Sequence, residues 1–409
     1  MSTDKKFIRD SIHGNLPLND LEIELINSPQ MQRIRRIKQL GWISMIYPGA
    51  NHTRLEHSLG TMHLASKLSK HLDLSKEDVE LVRIAAMLHD IGHGPFSHAS
   101  ESVLDEPHEK FTAKVIKKIE ISDILNNQFN LNEIVDIING KGILGPIVSG
   151  EIDVDRMDYL MRDSHYTGVA YGVIDVERLI SNMKLEKTIV LNIKGILAAE
   201  AMLVARYYMY PSVYQHHTTR ISNSMFRRAL KIAGNEGIID LSTAYLYDDM
   251  DIVSKFRNSY GYPKDIMTRL DNRNLFKRYK SVSVNQFINP QKIFKIKKED
   301  LRKGEEEISE KYGLDKDYVF LDIASYPRFN EMKTQVYDDQ SEDIYRLTEV
   351  SSVVRGLKEA RFNYPKLSLF IPEEYKSKIY KFKFEDYLNL PEINKNKFNK
   401  YHTTQSKLL

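Results

Sequence analysis

The stretch "AMLHDIGHGPFSH", residues 86–98, places His89, Asp90, His93 and His98 where an apolar helical run stops, beside two glycines and a proline. The run before it, "DVELVRIAAML", is apolar enough to be buried, and Gly92 gives it a stop. A buried aspartate beside a histidine is costly unless positive charge neutralises it, and a metal ion would do so. Taken alone, such a pair reads better as a capping histidine with a hydrogen-bonded aspartate.

The pair is not alone. "HTRLEHSLG" sets His57 at the start of another apolar helix, and "EIDVDRMDYLMRDSHYTG" brings aspartates at 153, 155, 158 and 163. Two histidines with two carboxylates form a mixed nitrogen and oxygen set that suits iron, manganese, nickel or zinc. Such a set leaves coordination positions open for water and a substrate oxygen, as a catalytic ion requires. Spacing leaves open which of the four aspartates completes it.

The elements that must carry these residues are mostly helices. Leu21, Leu25, Met31, Ile34 and Ile37 follow helical spacing, with Pro29 opening a second helix. "RLEHSLGTMHLASKLSKHL" and "SKEDVELVRIAAMLHD" are two amphipathic helices, the second with a serine cap and acids in its first turn. Residues 109–137 and 151–233 are again helix-periodic, the latter broken at Gly168, Gly172 and Pro211. We therefore expect a mainly α fold, with a helical core over 1–240 and a smaller α+β region over 241–409. In that region "SVSVNQF" (281–287), "YVFLDIASY" (318–326) and "KIYKFKF" (378–384) read as strands, "KGEEEISEKYG" as a short helix, and the Asn/Lys-rich end as a frayed tail.

Composition narrows the chemistry. The 409 residues contain no cysteine, which excludes disulfides, thiolate zinc sites and a cysteine nucleophile. "MSTDKKFIRD" lacks the apolar core of a secretory signal, and "VLNIKGILAAEAMLVARYYMY" is interrupted by Lys194, Glu200 and Arg206, so no membrane span and a cytoplasmic location are expected. Residues 251–409 hold 31 Lys/Arg against 24 Asp/Glu, a surplus that reads first as solvated surface and second as a polyanion contact.

His57, then His89–Asp90, then a distant aspartate is the pattern of the HD-domain metal-dependent phosphohydrolases. Within them the ordered blocks "SPQMQRIRRIKQLG", "YPGANHTRLEHSLG", "LHDIGHGPFSH", "HE" at 108–109 and "IDVDRMDYLMRDSHYTG" resemble the deoxynucleoside triphosphate triphosphohydrolases typified by the SAM-and-HD-domain protein. The resemblance covers about residues 7–235 and weakens beyond. It implies metal ligands at His57, His89, Asp90 and Asp155, with Asp153 in support, and magnesium accompanying the nucleotide. It implies a catalytic His108 with Glu101 as its acidic partner, and phosphate contacts at His93, His98, Arg54, Arg156 and Arg206. Tyr159 and Asp163 match residues on the deoxyribose, Gln39 and Leu40 lie along sugar and base, and Tyr214 with Gln215 belongs to the nucleoside pocket.

The resemblance further implies a homo-oligomer, dimer or tetramer, with an activating nucleotide bound near "FIRDSIHG" and "SPQMQRIRRIKQ". Arg35 stands at a position that contacts activator phosphates. Asn27 stands where an acidic residue reads guanine, and an amide lacks that residue's paired acceptors. The expected activity is metal-dependent hydrolysis of dNTPs to deoxynucleoside and inorganic triphosphate. The alternatives are an HD phosphohydrolase acting on monophosphates or cyclic nucleotides, and a nucleic-acid-binding protein with a vestigial site. Several cations argue against the first and the complete ligand set against the second. Other histidines carry weaker signals: His63 and His71 read as surface or packing residues, and Asp158 as a structural hydrogen-bonding group.

Overall fold

A computed structural model describes residues 6–104, 106–126, 128–325 and 333–394. Within them the chain divides into two compact units, residues 6–274 with 333–358 and residues 275–325 with 359–394. The first is predominantly helical and the second mixes one long helix with a small sheet.

Local signals set the helices of the first unit. Ser28 caps Pro29–Ile34, accepting from the Met31 amide at 3.4 Å, and proline opens the helix where its missing N–H has no intrahelical partner. Thr53 and Glu56 form a capping box on Arg54–His71, and Ser75 accepts from the Asp78 amide at 3.0 Å to start Lys76–Leu88. These two long helices pack against one another, and Leu64, Leu68, Val82 and Ala85 on them are buried. Val154–Thr167 crosses the first of them, starts on an Asp153 cap and ends at Gly168, whose φ of +75° is a left-handed stop.

Two hairpins interrupt the helices. Lys6–Asp10 pairs antiparallel with Gly14–Leu18. Met183–Leu185 pairs with Ile189–Asn192, and Gln335–Tyr337 and Ile344–Arg346 extend that sheet to four strands. The second hairpin falls inside the stretch whose periodicity predicts helix. Three- and four-residue strands joined by a tight turn leave too short an alternation to compete with the helical pattern around them.

In the second unit Lys366–Ile371 is the central strand, paired antiparallel with Lys277–Ser283 and Phe320–Ile323. Two expected strands are therefore relocated in part: the pairing near 281–287 begins at Lys277, and the one within 318–326 covers Phe320–Ile323. The expected strand at 378–384 is absent. There Phe382 and Phe384 pack into the core with Leu367, Leu369 and Ile371, while the Phe382 carbonyl accepts from Lys280 Nζ rather than from a strand. Lys298–Tyr312 is the predicted helix, longer than expected and stopped by Gly313 at φ +61°. The expected frayed tail beyond 394 lies outside the described residues.

Candidate metal and phosphate site

His57 lies in the first turn of Arg54–His71, His89 caps Lys76–Leu88, Asp90 follows it, and Asp155 is the second residue of Val154–Thr167. The three helices bring these side chains together. His57 Nε2 stands 3.0 Å from Asp155 Oδ1 and 3.6 Å from Asp90 Oδ2. His89 Nε2 stands 3.4 Å from Asp90 Oδ1 and 3.7 Å from Asp155 Oδ1.

The other nitrogen of each ring is anchored. His57 Nδ1 meets Asp158 Oδ2 at 2.7 Å, and His89 Nδ1 meets the Ala86 carbonyl at 2.7 Å. Both partners accept, so each ring donates from Nδ1 and, when neutral, directs its lone pair from Nε2. Both Nε2 atoms are buried and make no hydrogen bond. Orphaned buried nitrogens converging on two carboxylates, each held by an acceptor behind the ring, are what a divalent ion requires. The charge balance agrees. Burial opposes a charge on His57, yet Asp155 and Asp158 raise its pKa to about 10. Burial pushes Asp90 up, but Arg54, His89 and His93 outweigh it and hold it well below the usual carboxylate range. This pocket favours positive charge.

Beside these four side chains lies a second cluster. Glu101 receives His98 Nδ1 at 2.7 Å on one oxygen and His108 Nδ1 at 2.8 Å on the other. The His93 ring stacks on His108, with centroids 3.8 Å apart and planes at 16°, and His93 Nε2 lies 3.4 Å from Asp90 Oδ1. Nitrogens of His93, His98 and His108 come within 4.8 Å of one another. Stacked rings, however, hold their in-plane lone pairs nearly parallel, so His93 and His108 do not converge on one ion. The trio suits a chain of anionic oxygens better. Burial disfavours charge on His108, but the hydrogen bond it donates to Glu101 wins and its pKa is raised. Burial, Arg54 and His108 together depress His93 well below its usual range. The two stacked imidazoles are thus pushed in opposite directions.

Arg54 donates from Nη1 to Asp90 and from Nε to Ser97 Oγ at 2.9 Å. Arg156 is held by Asp153 and by the Gly150 carbonyl at 2.8 Å, so Asp153 serves both as helix cap and as counter-ion to Arg156. Arg206 is buried, with its guanidinium 5.4 Å from the Tyr210 ring centre.

A third group of side chains gathers around Asp163. His52 Nε2 meets one of its oxygens at 2.8 Å and Tyr214 donates to the other at 2.7 Å. The Tyr159 and Tyr214 rings lie 6.3 Å apart, edge to face. Tyr214 comes from the π-helical turn Tyr210–Tyr214, an irregularity frequent at functional sites. Gln215 accepts from Arg220. Gln39 is buried, its side-chain oxygen without a partner, and Leu40 beside it is half-buried. Arg35 and Asn27 are exposed.

Several residues that sequence reasoning passed over hold this arrangement. Arg33, buried, donates to the carbonyls of His93 at 2.8 Å and Ile91 at 2.5 Å. Asp249 accepts from the Phe96 amide at 2.6 Å and the Lys38 amide at 3.0 Å. Phe96 and Ser97 adopt φ of +57° and +54°, a conformation costing about 1–3 kcal/mol per residue that only a strong surround maintains. Phe96 is held by stacking on Trp42 at 4.2 Å. Gly92 is required by packing: a Cβ there would lie 2.0 Å from the Thr112 amide nitrogen. Thr112 Oγ1 accepts from the Gly92 amide and donates to the His89 carbonyl, at 3.0 and 3.1 Å. These contacts lay the His108–Ile116 helix against the metal loop. Arg33, Gly92, Phe96 and Ser97 lie inside the quoted blocks, where residue type alone does not announce a supporting role, and Asp249 is a single buried charge outside them.

Comparison with known proteins agrees with this geometry. An HD-domain model matches residues 54–163, and an HD-associated-region model matches residues 174–399. The chain is 40% identical over 377 residues to an uncharacterised protein of Methanocaldococcus jannaschii, covering 90% of this chain and 80% of that one. It is 30% identical over 389 residues to the human deoxynucleoside triphosphate triphosphohydrolase SAMHD1, covering 78% of this chain and 60% of that one. A Bacteroides thetaiotaomicron phosphohydrolase crystal structure superposes with a TM-score of 0.75 at 26% identity, covering 90% of this chain and all of that one. A hypothetical protein from Aquifex aeolicus gives a TM-score of 0.74 at 30% identity. With its HD domain followed by the HD-associated region, the chain belongs to the HD-domain phosphohydrolase family. Among the described residues no helix is long and apolar enough to cross a membrane.

Proposed function

We propose that this protein is a metal-dependent hydrolase that converts deoxynucleoside triphosphates to deoxynucleoside and inorganic triphosphate. The observation that carries the reading is the pair of buried, partnerless Nε2 atoms of His57 and His89 facing Asp90 and Asp155, immediately beside the Glu101-held His108. The names of the human relative and of a Dictyostelium discoideum relative, 34% identical over 238 residues, support the substrate class.

A divalent transition metal held by His57, His89, Asp90 and Asp155 would supply Lewis acidity at the α-phosphorus, with magnesium on the nucleotide. The chain's own groups do the rest. Arg54, Arg156, Arg206, His93 and His98 spread positive charge or donors along the phosphates. Attack by water breaks the bond from phosphorus to the 5′-oxygen, a poor leaving group that needs a proton. His108 donates from Nε2, since Glu101 occupies Nδ1. His52 and Tyr214 fix Asp163 so that its remaining lone pairs can accept from the 3′-hydroxyl. Tyr159, with Gln39, Leu40, Tyr214 and Gln215, closes on the sugar and base and disfavours a 2′-hydroxyl. The same reading includes a cytoplasmic homo-oligomer and an activating nucleotide near Arg35 and Asn27.

The test is turnover of each dNTP, NTP, monophosphate and cyclic nucleotide with iron, manganese, nickel or zinc, read by ion chromatography. Deoxynucleoside plus intact triphosphate is the expected result. Products of dNMP and pyrophosphate, or activity confined to monophosphates or cyclic nucleotides, would refute it.

A further inference from the structure

Asp158 follows Asp155 by one helical turn and is fully buried. Its oxygens take four hydrogen bonds. Oδ2 accepts from His57 Nδ1 at 2.7 Å and Arg162 Nε at 2.9 Å. Oδ1 accepts from His13 Nε2 at 2.7 Å and Arg162 Nη2 at 2.9 Å. A carboxylate has about four lone-pair sites, so this one is saturated and cannot turn to bind an ion itself.

The group is braced from behind. Arg162, fully buried, also donates from Nη1 and Nη2 to Asp10 at 2.8 and 3.3 Å. Asp10 ends the first strand of the Lys6–Leu18 hairpin, and its Oδ1 accepts from the amides of Ile12 and His13 at 2.9 and 2.8 Å. That turn delivers the His13 ring to Asp158. Gly60 makes room for the assembly: a Cβ there would lie 1.9 Å from Asp158 Oδ1 and 2.3 Å from Arg162 Nη2.

We propose that Asp158, locked by His13 and Arg162, is a positioning residue that fixes His57 as its Nδ1–H tautomer and thereby sets how tightly the His57–His89–Asp90–Asp155 set holds its ion. The inference rests on the metal reading above and adds the outer groups that tune it. A buried ion-pair network could instead serve folding alone, and such pairs are weak contributors to net stability. The two roles differ in what they move. A purely structural network changes stability and leaves the metal affinity of folded molecules alone, whereas a positioning role changes that affinity directly.

The experiment uses the full chain, stripped of metal, as native protein, Asp158→Asn and His13→Gln. Manganese(II) affinity is measured by competition with a chelating dye, cobalt(II) absorption reports the ligand field, and circular dichroism reports the folded fraction. Asp158→Asn is expected to weaken manganese binding roughly 10- to 100-fold, the usual effect of removing such a partner, and to shift the cobalt bands. His13→Gln should weaken it less, in the same direction. Native affinity and an unchanged cobalt spectrum in the folded variants would overturn the proposal, and His13→Gln decides alone if Asp158→Asn does not fold. Native protein that takes up neither ion would overturn the metal reading itself, an outcome distinct from variants that merely match the native protein.

Discussion

His108 and Glu101 show how much one hydrogen bond can decide. The Glu101 carboxylate holds His108 Nδ1 at 2.8 Å and raises its pKa, so the imidazolium persists above the usual value near 6.5. His108→Ala should keep its metal and bind dNTP yet lose about two to four orders of magnitude in rate, the typical worth of a general acid; near-native turnover would remove His108 from that role. The pH profile follows from the sign of the shift. A raised histidine is active as an acid, and contributes stability, at low pH; both are lost as pH rises through its folded pKa. Glu101→Gln should therefore move the basic limb of kcat/KM to lower pH, and an unmoved limb would separate the two residues functionally. The candidate ligands and this pair stand in short motifs that the family resemblance picks out. Asp158 was not picked out, because the same aspartate three residues along a helix reads as a salt bridge until the ring it touches is known.

Among the elements, the closeness of two backbones matters most. The Gly92 position lets His108–Ile116 lie against the loop carrying His89 and Asp90, with no space for a Cβ 2.0 Å from the Thr112 nitrogen. Gly92→Ala should cost about 1–3 kcal/mol, as overpacking does, and should depress kcat beyond what its thermal midpoint predicts, because the displaced helix carries the acid. A variant with lowered stability and native kcat would show that the helix position is not critical. The long helices were readable because caps and apolar periodicity agree over many residues. The Met183–Asn192 hairpin was hidden by its brevity. Lys366–Ile371 was overlooked because its alternation is short, with Ser368 between Leu367 and Leu369 before two consecutive apolar residues, while the alternating 378–384 segment places its aromatics in the core without pairing.

At the scale of the molecule, the HD match and the HD-associated match join in one chain what the described coordinates divide differently, at residues 274 and 358. Family membership was visible in the ordered blocks of the first 235 residues, which keep site residues in register. The resemblance weakens beyond residue 235, so the role of the later region left little trace in residue type.

The loop between His89 and His98 is fastened from outside the 54–163 span that defines the HD domain. Arg33 grips two of its carbonyls, the Lys38 carbonyl takes Ser97 Oγ at 2.7 Å, and Asp249 holds the Phe96 amide. Asp10, also outside that span, holds Arg162, which in turn holds Asp158 behind His57. The boundary of the HD-domain match is therefore not a boundary of mechanical autonomy. Residues 54–163 expressed as an excised fragment would contain every proposed ligand and lack the fastenings. The left-handed pair at 96 and 97 would relax, and the acid and the ligands would drift apart. We expect such a fragment to bind manganese far more weakly than the full chain in equilibrium dialysis, and equal affinity would show that the ligands organise themselves. What evolution copies as a module can still depend, for its working geometry, on neighbours it does not include.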